Sequence, residues 1–198
     1  MVERVELESR ETYETALLAA GGAIRASDEA MRRIPTFGLV RPPGHHAGPD
    51  RYWGYCFFNN IAVAITRLMA NGTIASAVVI DLDLHDGDGT EAIFRDNPAV
   101  NIINVRAKTR TAFLEFLGQE LGNSSETDLL GISAGFDTYV RDWGGILGTE
   151  DYRAIGSNIR KAAHRLCQGR CFAVLEGGYY LPDLGKNVLA FCEGLAGV

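Results

Sequence analysis

The chain contains no apolar run of the ~18–20 residues that would carry a helix across a bilayer. Its opening segment, MVERVELESRETYE, has neither the basic stretch nor the apolar stretch of a secretory leader. Cysteine is scarce: Cys56, Cys167, Cys171 and Cys192 form no CxxC pair and no disulfide framework. They read as reduced thiols of a cytoplasmic protein, most of them small buried side chains. Positive charge is also in short supply. Nineteen Lys and Arg stand against 25 Asp and Glu, a net charge of −6, and no basic stripe suits a nucleic-acid surface. A negative site remains able to steer a small cationic substrate. There is no internal repeat, low-complexity tract or linker, so the 198 residues read as one domain, 1–198.

What is present is an alternation of strands and helices. Residues 11–33 carry Tyr13, Leu17, Ala20 and Ile24 at helical spacing. FGLV (37–40) is a short buried strand, followed by the Pro- and Gly-rich loop RPPGHHAGPDRYWGY. NIAVAITRLMA (60–70) is a helix ended by Asn71-Gly72. SAVVIDL is a β-branched strand, EAIFRD a short helix, and AVNIINV (99–105) the next strand. A helix over 110–121, the strand TDLLGISA (127–134), a helix capped by Thr149 and running to about Gln168, the strand CFAVLE (171–176) and a helix over 184–194 complete the order. Continuous apolar strands separated by helices predict a three-layer α/β/α domain around a mostly parallel central sheet.

Ligands of such sheets bind beyond the carboxyl ends of the strands, and each strand end here carries chemistry. His45 and His46 follow FGLV. Asp83, His85, Asp86 and Asp88 follow VVIDL. Gly135, Phe136 and Asp137 follow LLGISA, and Gly177, Gly178 and Tyr179 follow FAVLE. Four aspartates this close, Asp81, Asp83, Asp86 and Asp88, need compensating charge or donors. Asp83 and His85, two residues apart in extended chain, point the same way and can grip a divalent cation. Asp137 is the candidate third ligand. Two aspartates and one histidine leave one position open, the pattern of catalytic zinc; iron, cobalt and manganese also accept these donors. The remaining Asp81 and Asp88 suit the two histidines, because a working imidazole needs an acceptor on its second nitrogen. Gly177-Gly178 lets the backbone approach a ligand closely, and the Tyr179 hydroxyl can donate to a developing oxyanion.

RPPGHHA, the DxDxH of IDLDLHDGDGT, SAGFDT and LEGGYY together resemble, in order, motifs of the histone deacetylase family within the arginase/deacetylase superfamily. That family includes acetylpolyamine amidohydrolases, and this chain looks like a compact prokaryotic-type member. The resemblance runs from about Arg41 to Leu195. It implies an arginase/deacetylase-like fold, zinc held by Asp83, His85 and Asp137, and a general base at His46 paired with Asp88. It further implies His45 paired with Asp81, Tyr179 polarising the substrate carbonyl, and Gly54 and Tyr55 lining an acyl-lysine channel together with Gly177 and Gly178. A structural K+ near Asp81, Asp83 and His85 is also implied. The expected substrate is a small-molecule or peptide N-acetyl amine, with no membrane and no nucleic acid as partner. Three departures stand out. Asp86 occupies the place of a second histidine. The stretch between His85 and Asp137 is short and lacks a second channel-wall aromatic, so a shallower or side-open channel is expected. The family's first strand has no counterpart before Met1. Three alternatives accompany this reading: an arginase-like two-manganese hydrolase, an acyl-amine-binding or inactive paralogue, and a chain that lacks segments needed for activity.

Overall fold

A computed structural model describes residues 10–198; residues 1–9 of the expected domain lie outside them. The elements run α1 (Arg10–Met31), β1 (Thr36–Gly38), α2 (Asn60–Ala70), β2 (Ala77–Asp81), α3 (Asp88–Phe94) and β3 (Val100–Asn104). They continue through α4 (Arg110–Asn123), β4 (Leu129–Ala134), α5 (Thr149–Cys167) and β5 (Cys171–Leu175) to α6 (Leu181–Ala196). The five strands form one sheet in the order β1-β5-β4-β2-β3, and every pairing is parallel.

The side-chain period of two divides the core between the two faces. Val78 and Ile80 of β2 join Leu130 and Ile132 of β4 in a cluster with Phe113, Ile155 and Phe191 from α4, α5 and α6. Ala77 and Val79 join Leu129, Phe172 and Val174 against Ala23, Ile61 and Ile65 from α1 and α2. Three layers result, as the alternation predicts. β2, β4 and β5 are buried at every position, because helices cover both faces. The same period puts Asp81 on the side of Val79, facing the α1–α2 layer, where the long loop before α2 lies.

Three helix starts differ from the sequence expectation, the first being α3, which begins at Asp88 rather than Glu91. Gly148, not Thr149, is the N-cap of α5, and Asp151 accepts the Gly148 N–H at 2.8 Å. The Thr149 hydroxyl is turned away from the helix end to Asn187, 2.7 Å distant on α6. Helix α6 begins at Leu181 rather than 184, with Pro182 in its first turn, where a missing N–H is harmless. No helix among the described residues is long and apolar enough to cross a membrane. Cys56, Cys167, Cys171 and Cys192 are free thiols.

Candidate active site

Parallel strands all end on one edge, so the loops after β1, β2, β4 and β5 converge. Asp83, His85 and Asp137 bring one donor atom each within 4.8 Å of one another. Asp83 is fixed by the backbone: its Oδ2 accepts the Gly177 N–H at 2.8 Å and its Oδ1 the His85 N–H at 3.0 Å. A Cβ on residue 177 would stand 2.6 Å from Asp83 Oδ2, so only glycine admits this approach. Asp137 Oδ1 accepts the Leu84 N–H at 2.9 Å. His85 Nδ1 lies 3.1 Å from both Asp83 Oδ1 and Asp137 Oδ2. Asp137 Oδ2 nevertheless lacks a bond of acceptable geometry, and it is the one buried side-chain oxygen or nitrogen among the described residues without a hydrogen-bond partner.

The electrostatics match that geometry. Burial, then the charge on Asp83, pushes Asp137 up to about 8. Asp83 stays ionised despite its burial, held down by His85 and by the charge on His45. An orphaned, fully buried carboxylate oxygen aimed at a second carboxylate and an imidazole fits a divalent cation with N/O preference. A second group, His45, Cys56 and Glu176, has the right proximity but not the chemistry. His45 Nδ1 is bonded to Asp81, Glu176 Oε2 already accepts two backbone N–H groups, and burial keeps the Cys56 thiol protonated.

The two histidines are paired separately. His45 Nδ1 donates to Asp81 Oδ2 at 3.0 Å, and His46 Nδ1 to Asp88 Oδ1 at 2.7 Å. Their rings lie 4.0 Å apart, yet their environments differ. Burial alone would lower His45, but the charges on Asp81, Glu176 and Asp83 push it up to about 10. Burial and the charged His45 ring hold His46 below 6.5, against the pull of Asp88. The two adjacent imidazoles are thus pushed in opposite directions, His45 towards the charged form and His46 towards the neutral one.

Gly54 adopts φ +60, and a Cβ there would meet His46 Cδ2 at 2.5 Å. Tyr55, also left-handed at φ 64, is 60% exposed beside it. Tyr179 is held by Asp142, whose Oδ2 accepts the Tyr179 and Tyr180 N–H groups at 2.6 and 2.7 Å. Burial, together with the Asp83 and Asp137 charges, keeps its phenol protonated. Gly178, at φ +138, turns the chain between Asp83 and that tyrosine. Asp86 is not part of the donor group; it bonds Arg106 Nε at 2.6 Å.

Sequence reasoning passed over four contributors. The Trp53 ring stacks on His46 at 4.0 Å, and its indole N–H donates to Asp88 at 3.1 Å. Trp143 stacks on Tyr179 at 4.1 Å and meets His85 edge-on at 5.9 Å. Asp142 anchors the Tyr179 loop. Glu176, fully buried, accepts the Gly44 and His45 N–H groups and the Ser133 hydroxyl, tying the tandem-His loop to β4 and β5. A usable signal existed for Glu176, which, like Asp81, is a carboxylate ending a wholly apolar strand. For the tryptophans it was that the chain has only two, each in a loop that carries site residues.

Three side chains that could hold a metal ion thus lie at the carboxyl edge of a parallel α/β/α sandwich. Residues 5–113 match the histone deacetylase domain, and the chain belongs to that family. It is 35% identical to a probable deacetylase of Methanothermobacter thermautotrophicus, the match covering 94% of this chain and 66% of that protein. It is 33% identical to the acetylpolyamine amidohydrolase of Mycoplana ramosa, covering 94% and 64%. The crystal structure of acetylpolyamine aminohydrolase from Burkholderia pseudomallei superposes with a TM-score of 0.79 at 26% identity, over 91% of this chain and 62% of that one. The fold is of the arginase/deacetylase type. The chain spans slightly under two thirds of the length of these relatives. The first alignment covers 224 positions, more than the chain's 198, so that relative carries insertions within the matched stretch.

Proposed function

We propose that this chain is a metal-dependent amidohydrolase that removes acetyl or similar small acyl groups from amines such as acetyl-lysine or acetylated polyamines. The observation that carries the reading is the unsatisfied Asp137 Oδ2, buried between His85 and Asp83 beside two His–Asp pairs. Asp83, His85 and Asp137 would hold the cation, zinc by its fit to this donor set, with iron, cobalt and manganese as chemical neighbours. When bound, it supplies a Lewis acid that polarises the amide carbonyl and lowers the pKa of its water towards ~7.

The chain's own groups supply the rest. His46, neutral and with Nδ1 committed to Asp88, accepts the proton of the attacking water at Nε2. Tyr179, held protonated, donates its hydroxyl hydrogen to the oxygen on which charge develops. The carbon–nitrogen bond breaks, and the proton taken by His46 passes to the leaving nitrogen, giving a free amine and the carboxylic acid. His45, kept charged by Asp81 and Glu176, lowers the basicity of His46 and stabilises negative charge nearby. The name of the Mycoplana ramosa relative supports an acetylated polyamine as one substrate, and the net charge of −6 favours a cationic amine over nucleic acid.

The test is acetate release from an acetyl-lysine peptide and from an acetylated polyamine. His46→Ala should retain metal and lose roughly 100–10,000-fold in turnover, the range of one general base. Unchanged turnover in that variant contradicts the assignment.

A further inference from the structure

Between β3 and α4 the chain turns within five residues, VRAKT, and leaves open ground beside the site. A cleft of about 820 Å³ begins at His46 and His85 and runs over Leu84, Val105, Ala107 and Ala112 to Phe113. That is the size of a pocket for a drug-sized molecule, roughly 300–1,000 Å³, and a two-carbon acetyl group leaves most of it unfilled. Beyond the histidines its exposed apolar surface is Leu84, Ala107 and Ala112, with Val105 and Phe113 buried beneath them. Four charged residues line it, and both carboxylates are already engaged: Asp86 pairs with Arg106 at 2.6 Å, and Asp88 accepts from His46 and Trp53. With Lys108 as the remaining charge, a protonated amine or polyamine finds no free carboxylate there, whereas an uncharged hydrocarbon chain needs none and loses water on binding.

We propose that this cleft is an acyl subsite, and that the preferred substrates are N-acyl amines whose acyl group is a medium-length hydrocarbon chain lying against Leu84, Ala107 and Ala112. The identity of the reacting bond rests on the amidohydrolase reading; the binding of the chain does not. The amine end of such a substrate leaves on the other side of His85, towards Tyr179 and Trp143.

The chain's only tryptophans, Trp53 and Trp143, both stand at the site, so their fluorescence reports its occupation. The experiment titrates Nε-acetyl-, Nε-butanoyl- and Nε-octanoyl-lysine amide into zinc-loaded Tyr179→Phe protein, in which turnover is slowed. Each buried methylene favours binding by roughly fourfold, so Kd should fall by about a hundredfold or more from acetyl to octanoyl even with partial burial. Ala112 is exposed in the first turn of α4, so Ala112→Phe fills the cleft without disturbing the core. It should abolish the gain for octanoyl and leave acetyl binding unchanged; Ala107→Leu should reduce the gain. An affinity that is flat or falls with chain length, or a gain that survives both variants, overturns the inference. Octanoyl binding that strengthens as expected, without any acid released by the wild-type protein, supports the subsite and overturns the amidohydrolase reading instead.

Discussion

Asp137 Oδ2 lies 3.1 Å from His85 Nδ1 and accepts no hydrogen bond. Its residue is fully buried, and its other oxygen is already held by the Leu84 N–H. Leaving a buried acceptor unsatisfied costs about 1–3 kcal/mol, more when it is charged. The protein carries that cost at the point where Asp83 adds a second negative charge. A cation between the three side chains removes both penalties, which makes this oxygen the most informative atom of the site.

Asp137→Asn therefore has opposite effects with and without metal. In chelated protein above pH 8, where the wild-type carboxylate is charged, the variant should be the more stable, by about 1 kcal/mol or more in urea unfolding. Added zinc should stabilise wild type and leave the variant unmoved. A variant that binds zinc as tightly as wild type removes Asp137 from the ligand set.

Tyr179→Phe should keep the metal and the stacking on Trp143 while lowering turnover by roughly 100–1000-fold, the effect of removing one oxyanion donor. Steady-state kinetics beside elemental analysis check this. Full turnover in the phenylalanine variant excludes the hydroxyl from the reaction.

The acid limb of kcat/KM should fall below pH 6.5, because His46 is held below its ordinary value and works as a base only when deprotonated. Asp88 acts in the other direction, raising His46 through its hydrogen bond and charge. Asp88→Asn should accordingly move the limb to still lower pH while decreasing the plateau rate. A limb that moves to higher pH contradicts the pairing.

Glu176→Ala should destabilise the fold by roughly 2–4 kcal/mol, since it leaves the Gly44 and His45 N–H groups buried without an acceptor. Glu176→Gln separates charge from shape. Burial, with Asp81 adding to it, pushes the wild-type carboxyl from 4.5 up to about 7. A raised folded-state value contributes stability below pH 4.5 that is lost as pH rises through 7. The glutamine variant should lose that decline between pH 4.5 and 7; an unaltered pH profile of stability places the effect elsewhere.

How much was legible in the sequence follows from the range of the forces involved. Helix α2 ends where Asn71-Gly72 predicts, and its start is fixed by Asn59, which accepts the Ala62 N–H; both are local events. The Asp83–His85 pairing is local too, set by alternation along an extended chain. Asp137 was reachable because parallel strands deliver their loops to one edge. The failures were non-local. Thr149 looked like a cap until α6 supplied Asn187 for its hydroxyl. Trp143, Asp142 and Glu176 act through partners 36 to 132 residues away, on other strand ends. Their neighbourhoods mark Glu176 and Trp143 as unusual but do not name the partners.

The most direct test of the central claim is zinc content per chain measured together with acetate release, before and after chelation, on acetyl-lysine peptide and acetylated polyamine. One zinc per chain, with acetate release that stops on chelation and returns with zinc, is the expected result. Acetate release indifferent to chelation, or a stable second divalent ion per chain, would contradict a single divalent-cation site built from Asp83, His85 and Asp137.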